Sequence, residues 1–257
     1  MTPRVITSRD NPLLVRLRKL AQTPAAYRKA GQVWLEGDHL CRAALARGVP
    51  VPLALGTEAA FDDPALQPLL AAAAEQVLLP APLFAGISGL ESPATMGFVL
   101  DLPAASAPQD GLATVVLDGV QDAGNVGSVL RSASALGARQ VLALQGTAAL
   151  WSPKVLRAGM GAHFNLRLVE GLTLADLDAL HLPLVATSSY ASAVLAEAAL
   201  PAPCGWVFGH EGQGVSAALM QRCALTVCIP QPGGEESLNV AAAAAICLYE
   251  SARRAGQ

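Results

Sequence analysis

Apolar positions along the chain follow two spacings. Leu13, Leu14, Leu17 and Leu20 recur at three- and four-residue intervals, with Arg16, Arg18 and Lys19 off the stripe, which predicts an amphipathic helix over 11–22. Short continuous apolar runs then predict strands at 33–37 (VWLEG), 51–56 (VPLALG), 76–79 and 96–102 (MGFVLDL), with helices over 39–47 and 64–75 between them. Strand and helix in alternation predict a small α/β domain over 1–103. The stretch PAASAPQDG, residues 103–111, is rich in Pro, Ala and Ser and has no period, so residues 104–111 read as a linker to a second domain over 112–257.

The alternation resumes beyond the linker. Strands are predicted at 114–120, 140–145, 184–189, 206–209 and 225–230, and helices over 125–138, 152–161 and from Ser237 to Arg254. These strands are unbroken apolar runs, the pattern of strands buried on both faces, so the sheet is predicted to be mostly parallel. Ligands of open parallel sheets sit off the carboxyl ends of the strands. Attention therefore falls on the loops after residues 120, 145, 189, 209 and 230. No internal repeat is visible.

Composition changes this picture in one respect. The net charge of −3 argues against a nucleic-acid partner at face value. Counted by segment it is +6 over residues 1–50, −7 over 51–110 and −2 over 111–257. The positive share lies in Arg4, Arg9, Arg16, Arg18, Lys19, Arg28 and Lys29, either a phosphate-contacting surface or a solvated helix face. The five cysteines form no CxxC pair and the four histidines are scattered, so free thiols are expected, with no metal site and no disulfide framework. The longest apolar run, Val240 to Tyr249, is half a bilayer span, and the first residues lack a signal-peptide core. A cytoplasmic protein without a membrane partner is expected.

Three polar clusters occupy the indicated loops. The first is DGVQDAGNVGSVLR, 118–131, where Asn125 reads equally well as a helix N-cap and Arg131 as a surface arginine. The second is FGHEGQGVS, 208–216. Its glycines leave backbone exposed to a ligand, but their spacing is neither a dinucleotide fingerprint nor a phosphate loop. The third is IPQPGGEESLNVAAAAA, 229–245, in which Ser237 and Asn239 open an alanine-rich helix after a long loop carrying Glu235 and Glu236.

In this order the clusters resemble the three motifs of the SpoU (TrmH-like) family of RNA ribose methyltransferases, within the SPOUT class. The match consists of N-x-G-x-x-x-R at 125–131, G-x-E-G-x-G at 209–214 and I-P followed by S-L-N-V at 237–240. ITSRDNPLLVRLRKL and VWLEGDHLCRAAL resemble, more weakly, the small RNA-binding domain that many members carry ahead of the catalytic one. The resemblance implies a parallel-sheet domain with a deep trefoil knot, S-adenosylmethionine as cofactor, a homodimer, and transfer of a methyl group to a ribose 2′-hydroxyl, in ribosomal rather than transfer RNA. The alanine-rich helix 240–252 is the candidate dimer interface. Thr187, Gly209, Ile229 and Leu238 match the cofactor-contacting positions. Asn125, Arg131, Glu211, Ser237 and Asn239 match the catalytic and substrate-site positions, and Arg9, Arg16, Arg18, Lys19 and Arg28 are the candidate RNA contacts.

In the corresponding reaction Arg131 acts either as the base, the role often given to the arginine in such families, or as an electrostatic clamp that grips a phosphate and stabilises the developing alkoxide; a guanidinium stays protonated and is a poor base, which favours the clamp. Asn125 and Asn239 orient the nucleotide and Arg131. Glu211 holds Arg131 or a loop amide, and Ser237 bonds the ribose or the arginine. Four positions depart from the family pattern: Ala123 stands where proline is frequent, His210 where a small polar residue is usual, Gln231 where methionine is common, and Ala241 where serine is frequent. The other readings are a transfer-RNA methyltransferase, an inactive knotted RNA-binding protein, a structural ribosome-associated protein and a nucleotide-binding oxidoreductase. Against the last, no G-x-G-x-x-G follows the first strand of either half.

Overall fold

The computed structural model describes residues 2–104, 106–233 and 237–256. Glu235 and Glu236 of the third cluster lie outside the described residues. The chain divides into two compact units, and the division does not follow the chain strictly: residues up to Ala104 are joined by Trp151–Phe164, and the remainder forms the second unit.

In chain order the first unit contains β1 (Arg4–Val5), α1 (Pro12–Gln22), α2 (Ala26–Ala30), β2 (Gln32–Glu36), α3 (Asp38–Ala46), β3 (Leu53–Gly56), α4 (Glu58–Asp62), α5 (Gln67–Ala71), β4 (Glu75–Leu78), α6 (Ala81–Ala85) and β5 (Met96–Asp101). The strands form one sheet in the order β1-β4-β3-β5-β2. Its first three strands run parallel, whereas β5 is antiparallel to both β3 and β2. Helix α1 starts as the periodicity predicts. Asn11 caps it by accepting from the Leu13 amide at 3.0 Å, Pro12 takes the first turn, and Leu14, Leu17 and Leu20 are buried. The single helix expected over 64–75 is shorter: Leu66 precedes a one-turn α5, and an additional short α4 capped by Thr57 comes before it. The segments β1, α2 and α6 are too short to show a period, which is why the sequence pattern does not announce them.

The second unit contains β6 (Thr114–Asp118), α7 (Ala123–Ala135), β7 (Gln140–Leu144), β8 (Arg167–Leu172), β9 (Leu184–Thr187), β10 (Ala193–Val194), β11 (Gly205–Gly209), α9 (Ala217–Met220), β12 (Leu225–Cys228) and α10 (Val240–Ala255); α8 (Pro153–Gly159) belongs to the first unit. The strand order is β10-β12-β9-β11-β6-β7-β8, with every neighbouring pair parallel. This is the parallel sheet that the unbroken apolar runs imply, and Val115, Val116, Leu117, Val141, Leu142, Val185, Val207 and Phe208 are indeed buried. From β6 the chain builds outward through β7 and β8, then returns to place β9, β11 and β12 on the other side. The carboxyl ends of β12, β9, β11 and β6 are consecutive along one edge of the sheet, at the point where the direction of winding reverses.

All five cysteines are free thiols. Burial, followed by the nearby charge of Asp38, pushes Cys41 far above the ordinary thiol range, and burial takes Cys247 to about 12. Such thiols stay protonated and unreactive. Among the described residues no helix is long and apolar enough to cross a membrane.

Candidate active site

The first cluster begins where β6 ends at Asp118. Asp122, not Asn125, caps α7, its Oδ1 accepting from the Asn125 amide at 2.9 Å. Gly124 leaves room for this cap, because a Cβ there would stand 2.8 Å from Asp122 Oδ1. With the capping done by Asp122, the Asn125 side chain in the first turn is available for other partners.

Those partners come from the other two clusters. Glu211, two residues past the end of β11, accepts from the backbone amides of Gln121 at 3.2 Å and Asp122 at 3.1 Å, and from Asn125 Nδ2 at 3.0 Å. Asn125 Oδ1 in turn accepts from Asn239 Nδ2 at 3.0 Å. Asn239 itself caps α10, its Oδ1 accepting from Ala241 at 2.9 Å and Ala242 at 3.3 Å. Each amide therefore uses both ends, and the chain Asn239–Asn125–Glu211 ties the start of one helix to the start of another through the loop after β11. Helix α10 begins at Val240, so Ser237 and Leu238 precede it rather than opening it. Burial acting alone would raise the Glu211 carboxyl, but the bonds from Asn125, Asp122 and Gln121 outweigh it and hold the group below the usual carboxylate range.

The loop after β11 is a closed hairpin. His210 and Gly214 exchange backbone hydrogen bonds of 3.0 and 2.8 Å. The turn folds back so closely that a Cβ on Gly209 would meet the Gly214 carbonyl carbon at 2.1 Å and the Val215 amide nitrogen at 2.2 Å. The Ser216 amide donates to Asp118 Oδ2 at 2.7 Å, fastening the far side of the loop to the end of β6. Asp118 was not among the candidate residues. The available signal was its position as the last residue of a buried strand beside the loop cluster.

Against this hairpin lies a cavity of about 550 Å³. It is lined from three strand ends by Thr187, Gly209 and Ile229, and from the approach to α10 by Ser237, Leu238 and Asn239, with Glu211 on its border. All four residues expected at the cofactor are thus brought together, as are three of the five expected at the reaction centre. Asn125 does not line the cavity but bonds two residues that do. Arg131 is six residues further along α7, about 9 Å in rise and on another side of the helix. Its side chain is exposed, and no hydrogen bond or ion pair links it to Glu211 among the described residues. Of the two partners expected for Glu211, the structure shows the loop amides.

The cavity's volume suits a nucleotide-sized ligand. Gln231 lines the cavity, and its Oε1 is buried and has no hydrogen-bond partner among the described residues. It is an acceptor lacking a donor, which a ligand amino group would satisfy.

The candidate RNA contacts sit in the first unit. Arg16 and Lys19 are exposed on α1, and Arg18 donates to the Arg9 carbonyl at 2.7 Å, bringing those two side by side. Arg28 on α2 packs over the Tyr27 ring, 5.6 Å from its centroid.

Fold and site together define an α/β enzyme with a ligand cavity at the carboxyl ends of parallel strands. Residues 113–249 match the SpoU rRNA Methylase family. An uncharacterised tRNA/rRNA methyltransferase of Synechocystis is 34% identical over 97% of this chain and 93% of its own length. The 23S rRNA (guanosine(2553)-2′-O)-methyltransferase RlmP of Bacillus subtilis is 30% identical over 86% of this chain and 88% of its own. Among solved structures, the SpoU methyltransferase AviRb of Streptomyces viridochromogenes in complex with AdoMet superposes with a TM-score of 0.87, at 25% identity, over 96% of this chain and 99% of that one. The chain belongs to the SpoU family of RNA methyltransferases.

Proposed function

We propose that the chain transfers a methyl group from S-adenosylmethionine to a ribose 2′-hydroxyl of ribosomal RNA. The observation that carries this reading is the Asn239–Asn125–Glu211 relay bordering a cavity lined by Gln231, whose buried Oε1 has no hydrogen-bond partner among the described residues. S-adenosylmethionine fits such a site, since its adenine and amino-acid ends both carry N–H donors. Thr187, Gly209, Ile229 and Leu238 hold it, and when bound it supplies an already activated methyl group.

The chain's own residues then have to position a hydroxyl and stabilise the oxygen as it loses its proton. Arg131, exposed and permanently cationic, grips the neighbouring phosphate and stabilises the developing alkoxide; the proton leaves to that phosphate or to water. Ser237 bonds the ribose. Asn239 and Asn125 set the height of the substrate over the cavity. Glu211, whose carboxylate already accepts three hydrogen bonds, acts as a positioning residue and not as the base. Arg9, Arg16, Arg18, Lys19 and Arg28 hold the RNA backbone through the first unit.

Three finer features belong to the same reading. The segment through β12 and α10 forms the trefoil knot; the placing of β12 between β9 and β10, out of chain order, supports it. The protein works as a homodimer in the cytoplasm, joined along α10, where Ile246 is 40% and Tyr249 59% exposed in the single chain.

Arg131→Ala tests the mechanism. Turnover on ribosomal RNA is expected to fall by about 10²–10³-fold while the affinity for S-adenosylmethionine, read by calorimetry, stays unchanged. Near-normal turnover would remove Arg131 from the reaction. Mapping of 2′-O-methyl sites in RNA from cells lacking the gene distinguishes a ribosomal target from a transfer-RNA one.

A further inference from the structure

His210 occupies a position where the family usually carries a small polar residue, and its side chain is turned back onto its own loop. Its Nδ1 accepts from the Gly212 amide at 3.0 Å and from the Gln213 amide at 3.3 Å. The Gly212 Cα faces the ring, since a Cβ built there would lie 3.8 Å from both Cε1 and Nδ1. A short polar side chain such as Asn makes the same turn by accepting the amide two residues on through its Oδ1. The imidazole Nδ1 occupies the equivalent place, two bonds beyond Cβ. Because Nδ1 receives two donors it carries no proton, so the neutral ring has its hydrogen on Nε2.

We propose that His210 is a positioning residue for the cofactor, its Nδ1 holding the 210–214 hairpin in the shape that forms one wall of the cavity. Three constraints converge on this hairpin: the paired backbone bonds of His210 and Gly214, the contact of Gly209 with Gly214 and Val215, and the imidazole clamp on the two amides between. The first two fix where the loop begins and ends. The clamp alone fixes the direction of the Gly212 and Gln213 peptides, which line the cavity with His210. Without an acceptor inside the turn these amides rotate toward water, and the wall that meets the ligand is no longer preformed. The cost of reforming it then falls on binding.

This inference rests on the S-adenosylmethionine reading of the cavity. The test uses the whole chain and two variants that differ in where they carry an acceptor. His210→Asn places an oxygen at the Nδ1 position; His210→Gln places its oxygen one bond further out, where the turn amides do not reach. Dissociation constants for S-adenosylmethionine and for its demethylated product are measured by calorimetry, with thermal unfolding of the ligand-free protein as a control for folding. His210→Asn is expected within about twofold of the wild type, and His210→Gln about tenfold weaker for both ligands at a similar unfolding temperature. Equal affinities for wild type and His210→Gln would overturn the proposal, as would an equal weakening in both variants, since the acceptor position would then be irrelevant. If the wild type binds neither ligand, it is the reading of the cavity that fails.

Discussion

The two units of this protein gather their polar side chains in different ways, and the difference decides what each unit can do. In the second unit seven parallel strands bring the ends at Asp118, Thr187, Gly209 and Cys228 to one edge, so loops from remote parts of the sequence converge there. Glu211 meets Gln121 and Asp122, and Asn239 meets Asn125, across separations of about ninety to more than a hundred residues. In the first unit β1, β4, β3 and β2 point one way and β5 alone runs against them, yet the exposed basic residues of α1 lie outside those strand ends. Its proposed RNA surface is local: α1 and the residues around it, where neighbouring basic side chains lie on the outer face of an amphipathic helix. A parallel sheet builds a cavity from distant residues, and a short helix presents a charged face from adjacent ones.

Damage to the backbone of the converging edge is therefore expected to weaken cofactor binding severely. Gly209→Ala makes the cleanest break, because the added methyl group meets backbone atoms of Gly214 and Val215 at 2.1 and 2.2 Å and no flexible side chain is there to yield. The hairpin has to move, and affinity for S-adenosylmethionine is expected to fall at least about a hundredfold. RNA binding through the first unit should be retained. If calorimetry shows cofactor affinity within a factor of two of the wild type, the hairpin is not the wall of the site.

The converse experiment acts on the helix face. Reversing Arg16, Arg18 and Lys19 to Glu together leaves the buried Leu14, Leu17 and Leu20 in place, so α1 should still pack. RNA affinity is expected to fall by about tenfold or more near 0.1 M salt, and the slope of log affinity against log salt to become shallower by about 2, on the basis of three lost phosphate contacts. Cofactor affinity should not change. An unaltered salt slope would return α1 to the status of a solvated face and leave the first unit without a demonstrated ligand.

The same contrast explains what was legible in the sequence. Local features were plain: the leucine stripe of α1, the apolar runs of β6, β7 and β11, and the proline-rich stretch after residue 102 all carry their signal within a few residues. The three motifs announced themselves as polar clusters at strand ends, and their resemblance to a family grouped them. Two features are set by packing between remote segments rather than by local pattern. One is the division of labour between Asp122 and Asn125, which are both good caps three residues apart; the structure gives the cap to Asp122 and so makes the Asn125 side chain available to Glu211 and Asn239. The other is the allegiance of Trp151–Phe164, which the chain order places in the second domain and the packing places in the first. Trp151 lies tilted against His163 and Phe164, with centroids at 5.1 and 6.4 Å, and Gly161 faces Ala43, contacts that no periodicity encodes.

The smallest expected effect concerns the charge at the centre of the converging edge. Glu211 is held below the ordinary carboxylate range: burial opposes this, but the Asn125 amide and the Asp122 and Gln121 N–H groups favour the ionised form more strongly. A group with a depressed folded value contributes stability above its unfolded value, about 4.3 for a glutamate, and the contribution is lost as pH falls through the folded value. Glu211→Gln removes the charge while keeping one acceptor oxygen. The variant should therefore unfold about 2 °C below the wild type at pH 7, a modest shift because the carboxylate remains solvent-screened. The gap should persist unchanged down to about pH 5, narrow as pH falls below the unfolded value, and close once pH lies below the depressed folded value, where both proteins carry a neutral group at 211. Thermal unfolding of the two proteins in parallel across this range isolates the effect, since every other carboxylate titrates equally in both. A gap that does not narrow as pH falls below the unfolded value would mean that shape, not charge, is what Glu211 contributes to the junction of α7, α10 and the β11 hairpin.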